Sequence, residues 1–169
     1  MHLLVRAVLV LALARPLAAQ GLSPDSVLAR LAGRWVLRGT IAQQPAVHDV
    51  TFTWRLNRTY LEMHEVSRER TASGALAYEA VVLFTRDPKT GEYACLWLDN
   101  TGVSAFEAAG IGRGAVAGDS VPFLFRYTPT TSFHNTFVHD RARDRWQWHM
   151  DNDSAGVRRP FARVTLTRR

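Results

Sequence analysis

At 169 residues, 47% hydrophobic and with a formal net charge of +6, the chain has the size and composition of one globular domain. Arginine supplies the basic excess, with Lys89 the only lysine and no basic run longer than two, so the concentrated basic stripe of a nucleic-acid binder is absent. Cys95 is the only cysteine, which excludes an intrachain disulfide.

The chain opens like a secretory signal. Arg6 forms a small basic region, an apolar run follows over 7–14, and Arg15 and Pro16 break it ahead of Leu17, Ala18 and Ala19. Small residues there suit cleavage after Ala19, so 1–19 reads as a signal peptide and the protein as exported, periplasmic or extracellular. The run is far shorter than the roughly 20 apolar residues that cross a bilayer, and stable membrane insertion is not expected. Cleavage removes Arg6 and Arg15 and leaves 150 residues with 19 basic and 15 acidic side chains, a net +4. That length is enough to bury a core.

Ser23, Pro24 and Asp25 mark a helix start: a side-chain cap, a residue suited to the first turn, and a carboxylate at the positive end of the dipole. Val27, Leu28 and Leu31 then share one helical face, and Gly33 ends a helix of seven or eight residues. Trp35, Leu37, Gly39 and Ile41 alternate with Arg34, Val36, Arg38 and Thr40, the pattern of a strand with one apolar face. Val50, Phe52, Trp54 and Leu56 repeat it. A two-residue turn at Asn57 and Arg58 would set Trp54 opposite Leu61, Phe52 opposite Met63 and Val50 opposite Glu65. Leu61, Met63 and Glu65 then point inward, and Glu62 and His64 outward.

Strands are expected over 59–70, 76–86, 93–99 and 121–127, with a small-residue segment over 103–117 between the last two. Turns fall at 71–74, at Asp87, Pro88, Lys89, Thr90 and Gly91, at 100–102, and at Gly118 and Asp119. A strand through Phe133 and His139 follows. Next comes one with Trp146, Trp148 and Met150 on a single face, then a loop over 151–156 and a closing strand over 160–168. About ten strands joined by short turns, with one short N-terminal helix, describe an all-β antiparallel up-and-down barrel. It forms one domain over 23–169.

Gly33, Arg34 and Trp35 after a short helix resemble the G-x-W opening of lipocalin and calycin barrels. With Tyr60, Leu61 and Glu62, with Trp97, Leu98 and Asp99, with Phe133, His134 and Asn135, and with the run from Arg145 to Asp151 and the terminal Val164 to Arg168, the chain resembles a family of exported bacterial lipocalin-like domains. The resemblance implies a small hydrophobic or amphipathic ligand inside the barrel. It also implies a base in which Gly33 and Trp35 are capped by a cation from the last strand. Arg168 shares the face of Ala162, Val164 and Leu166 and is preferred to Arg163.

Trp54, Met63, Glu65, Trp97, Asn135, Phe137, His139, Trp146 and Trp148 are the expected lumen lining, Asn135 and Glu65 supplying polar contacts. No metal and no catalytic residue is assigned, and no cofactor is expected. The alternative is a haem-binding barrel like the nitrobindins, with His139 or, second, His149 as axial ligand. Leu37 stands where that family places a glycine. Other readings are an enzyme using Glu65, Asp99 or Glu107, and an envelope interaction domain with a filled barrel. Gly110, Gly112 and Gly114 space like a phosphate cradle, but no helix follows them. The Asp151 to Gly156 stretch lacks the glutamate of a calcium loop, having Ala162 at that position. No G-x-S-x-G elbow occurs, and Cys95 lies in an apolar run as a small buried hydrophobe. Intact-mass analysis of protein from the exporting cell should give a chain beginning at Gln20; retention of Met1 would refute the signal.

Overall fold

Ten strands close on themselves in a computed structural model that describes residues 26–102 and 108–169. The expected signal over 1–19, the cap residues Ser23, Pro24 and Asp25, and Glu107 lie outside the described residues. A short helix α1 (Ser26–Leu31) leads into β1 (Gly33–Ile41), β2 (Gln44–Arg55), β3 (Tyr60–Ser67), β4 (Glu79–Arg86) and β5 (Tyr93–Asp99). A 3-10 turn at Ala108–Gly110 precedes β6 (Ile111–Gly114), β7 (Ser120–Arg126), β8 (Thr131–Asp140), β9 (Arg145–Ser154) and β10 (Val157–Arg168). Each strand pairs antiparallel with its sequence neighbours, and β1 pairs with β10 to close the ring. No described helix is long and apolar enough to cross a membrane.

The alternation places side chains as its period requires. In β3, Leu61, Met63, Glu65 and Ser67 are buried and their neighbours are not. The register sets Val50 against Glu65, Phe52 against Met63 and Trp54 against Leu61. The turn that fixes it has Asn57 and Arg58 at φ of +54° and +65°, both left-handed as a two-residue hairpin demands. β9 runs on through Ser154 where a loop was expected from Asp151, because β10 begins at Val157 and pairs it as far as Ser154. β4 starts at Glu79, shorter than the expected 76–86.

Glycine in β6 answers a steric demand. A Cβ at Gly114 would lie 1.8 Å from the Pro122 carbonyl oxygen, and one at Gly112 would lie 2.6 Å from the Phe125 ring. Close approach of β7, not a phosphate, explains this glycine spacing.

The interior is divided in two. Toward the α1 end it is solid with aromatic rings: Phe84 packs 6.1 Å from Phe52, 5.5 Å from Phe123 and 5.9 Å from Phe137, and Phe137 stacks on Trp148 at 4.5 Å. Each buried ring of this kind contributes about 1.5–3 kcal/mol. Leu28 and Leu31 of α1 are 1% exposed and plug that end.

The base is built around Trp35. Its indole Nε1 donates to the Leu31 carbonyl at 2.6 Å, and the Arg168 guanidinium carbon lies 3.9 Å from the ring centroid. Arg168 also donates to the Ala32 and Arg30 carbonyls at 2.8 and 3.2 Å and to Asp144 at 2.9 Å. Arg163, the other candidate, bonds outward to the Met150 carbonyl and Asp151. Gly33 sits at φ +125°, and a Cβ there would meet the Arg168 Nη1 at 2.6 Å.

The hydrogen bond from Arg168 holds the Asp144 carboxyl below its ordinary pKa. Stability from a lowered carboxylate pKa is complete above the ordinary value and is lost as pH falls through the folded one. Arg168→Ala should therefore cost about 1–2 kcal/mol at neutral pH in urea titrations, with the deficit narrowing in acid. Arg168→Lys should recover only part, since an ammonium cannot match the planar fork. An unchanged midpoint in Arg168→Ala would dismiss the base as a stabilising element.

Candidate ligand cavity

At the end opposite α1 the barrel is not filled. A cavity of about 710 Å³ lies between the upper parts of the strands. Its size falls in the range of small-molecule sites. Exposed Gln44, Glu69, Thr101, Tyr127 and Asn152 surround the mouth.

The two sides differ in chemistry. The polar wall comes from consecutive strands: His48 from β2, Glu65 and Ser67 from β3, Tyr78 just before β4, and Trp97 and Asp99 from β5. The apolar wall faces it from the other half of the ring, with Phe125, Phe133, Met150, Phe161 and Ile41 on β7, β8, β9, β10 and β1. Phe133 stands 6.3 Å from Phe125 and 5.6 Å from Phe161, in edge-to-face geometry. Phe161 reaches this wall through a register shift between Pro160 and Ala162, which lets both Phe161 and Ala162 face inward.

The polar wall is hydrogen-bonded within itself. His48 Nδ1 and Glu65 Oε1 are 2.5 Å apart, both residues being buried, and the His48 ring stacks on Tyr78 at 5.7 Å. Trp97 Nε1 donates to the Tyr78 hydroxyl at 3.2 Å and to Asp99 Oδ2 at 3.1 Å. Asp99 Oδ1 accepts from the Thr101 backbone and hydroxyl. Burial, with the negative charges of Glu65 and Asp99 alongside, pushes the Tyr78 phenol far above its usual pKa, so it stays a hydroxyl donor. Glu65 Oε2 is buried and has no hydrogen-bond partner. A buried oxygen left unpaired costs about 1–3 kcal/mol, which a ligand donor would recover.

Of the residues expected to line the lumen, Glu65 and Trp97 line this cavity. Met63, Phe137, Trp146 and Trp148 are buried below it in the filled half. Trp54, half-buried near that end, has the Arg58 guanidinium 5.3 Å from its ring. Asn135 is spent internally, accepting the Trp148 indole N–H at 2.5 Å. His139 stacks on Trp146 at 4.5 Å and lies 3.5 Å from Asp144, beside the base. His48, Tyr78 and Phe161 were not singled out. Extending the alternation of β2 back from Val50 and of β4 back from Ala80 would have reached His48 and Tyr78; nothing in the sequence marked the shift that turns Phe161 inward.

Haem would need an axial histidine in the cavity. Neither His139 nor His149 lines it, and His149 sits opposite Arg163 between the buried Trp148 and Met150. His48 is the histidine among the described lining residues, and its Nδ1 is already bonded to Glu65. No arginine or lysine among them could meet the propionates, so these residues do not fit haem. Among the described residues no group of three or more His, Cys, Asp or Glu side chains could hold a metal ion.

The fold and the cavity together define a closed ten-stranded antiparallel barrel with a ligand-sized chamber at one end. No protein-family model and no curated protein matches the chain. Among solved structures it is similar to Rv2717c from M. tuberculosis, with a TM-score of 0.55 at 15% identity, covering 87% of this chain and 99% of that one. At that identity the likeness speaks for the barrel alone.

Cys95 pairs with Phe84 in the filled half and is not among the residues lining the cavity. It is 1% exposed, and burial drives its thiol well above the ordinary range. A maleimide should leave the native protein unmodified and label one thiol once urea unfolds it; native labelling within minutes would contradict this packing.

Proposed function

We propose that this chain is an exported, lipocalin-like binding protein that holds one small amphipathic molecule in the upper half of its barrel. One observation carries the reading: a chamber of about 710 Å³ with hydrogen-bonding groups along β2–β5 and an aromatic and aliphatic wall facing them. A molecule with a polar end and an apolar body matches both sides at once. Filling the lower half with rings leaves the polar wall as the floor and side of a pocket rather than part of a sealed core. The secretory character of residues 1–19 and the lipocalin-like opening at Gly33 and Trp35 support export and family.

The His48–Glu65 bond favours a second reading, general acid–base chemistry on the bound molecule, since an imidazole hydrogen-bonded to a carboxylate can move a proton. Turnover of a co-purified ligand that disappears in His48→Phe would select it over simple binding.

The binding reading is tested with the neutral fluorophore N-phenyl-1-naphthylamine on protein stripped of co-purifying lipid. Fluorescence should rise on binding. Ala46→Trp, which fills the chamber from β2, should weaken binding at least tenfold. Leu56→Ser, at an exposed residue in the β2–β3 turn, should leave it unchanged. Binding that survives Ala46→Trp, or none in the native protein, would overturn the proposal.

A further inference from the structure

We infer that the chamber selects an amphipathic organic cation, a protonated amine or quaternary ammonium on an apolar body, and rejects fatty-acid-like anions. The inference rests on the binding reading above and adds the charge of the ligand.

The chain carries 21 lysines and arginines against 15 acids, yet no arginine or lysine is found among the described residues lining the cavity. Three carboxylates line it instead: Glu65, Asp99 and, at the rim, Glu69. Elsewhere the arginines neutralise acids directly, as at Asp49, Glu62, Asp140, Asp144 and Asp151. The Asp99 carboxylate is held by neutral donors, the Trp97 indole and the Thr101 backbone and hydroxyl. His48 bonds Glu65, so it offsets at most one of the three acids.

The ladder brings two of them onto one row. Glu65 pairs with Ala80, and Ala80 pairs with Asp99, so both carboxylates project inward on either side of a residue with only a methyl group. Two strand spacings separate them, roughly 10 Å between backbones, so the two carboxylates act on the chamber from neighbouring positions of one wall. Glu65 is 1% exposed and its Oε2 lacks a partner, so an N–H donor or a cation completes it. The rings of Tyr78, Trp97 and Tyr127 stand around the same side, and aromatic faces attract ammonium groups. Low-dielectric walls focus the field of the acids on whatever enters, and an anionic head meets like charge.

The test displaces N-phenyl-1-naphthylamine with three ligands of one chain length: dodecyltrimethylammonium, dodecanol and dodecanoate, all below their micellar concentrations. The ammonium should compete at least tenfold better than the alcohol, and the carboxylate worse than the alcohol. Glu65→Gln and, separately, Asp99→Asn should shrink the ammonium's advantage over dodecanol severalfold, whereas Leu56→Ser, at the exposed β2–β3 turn, should leave that advantage unchanged. Equal affinities for ammonium and alcohol, tighter binding of dodecanoate, or an ammonium advantage that survives both substitutions would each overturn the charge assignment while leaving the binding reading standing. Failure of all three ligands and of the fluorophore would overturn both.

Discussion

Everything in this barrel depends on the ladder between β1 and β10, which joins Trp35 to Arg168 at one end and Ile41 to Ala162 at the other. An open ten-stranded sheet would leave two rows of unpaired backbone groups; this pairing removes both edges. It also brings Arg168 over Trp35, so the last strand supplies the cation that covers the first strand's indole. Helix α1 is then held by backbone acceptors, with the Leu31, Ala32 and Arg30 carbonyls bonded to those same two side chains. Closure, plug and base form one unit.

With that end sealed, the packing of rings decides where space remains. Phe52, Phe84, Phe123, Phe137 and Trp148 meet across the lower lumen and are all buried. Above them the inward residues become polar on β2, β3 and β5, while Ile41 of β1, Phe125 of β7, Phe133 of β8 and Phe161 of β10 keep the facing wall apolar, giving a chamber with two chemically distinct sides. The base contributes stability and the upper half contributes recognition, which separates the two tasks along the barrel axis. Polar groups inside a protein are costly unless paired, and here all but Glu65 Oε2 among the carboxylate and imidazole contacts described for the polar wall have partners or reach the open mouth.

Much of this was legible in the residues. Alternation in Leu61, Met63 and Glu65 gave their facing, and the Asn57 and Arg58 turn gave their partners. The preference for Arg168 over Arg163 followed from parity with Val164 and Leu166. Parity stopped too early at His48 and Tyr78, where the alternation continues past the obvious apolar run into polar residues that face the same way. Phe161 was hidden for a different reason: a register shift breaks the period itself, and no residue type announces it.

The sequence by itself determined which face a clearly alternating strand such as β3 turns inward and where a tight hairpin such as the Asn57 and Arg58 turn lies, because a period of two and the chemistry of turns are local properties. Tertiary structure alone decided height. Trp148 and Met150 share one face of one strand, yet the first lies in the filled core and the second lines the chamber. Alternation carries no information about position along the barrel axis. That position comes from the stagger of ten paired strands, a property of the closed ring that no single strand encodes.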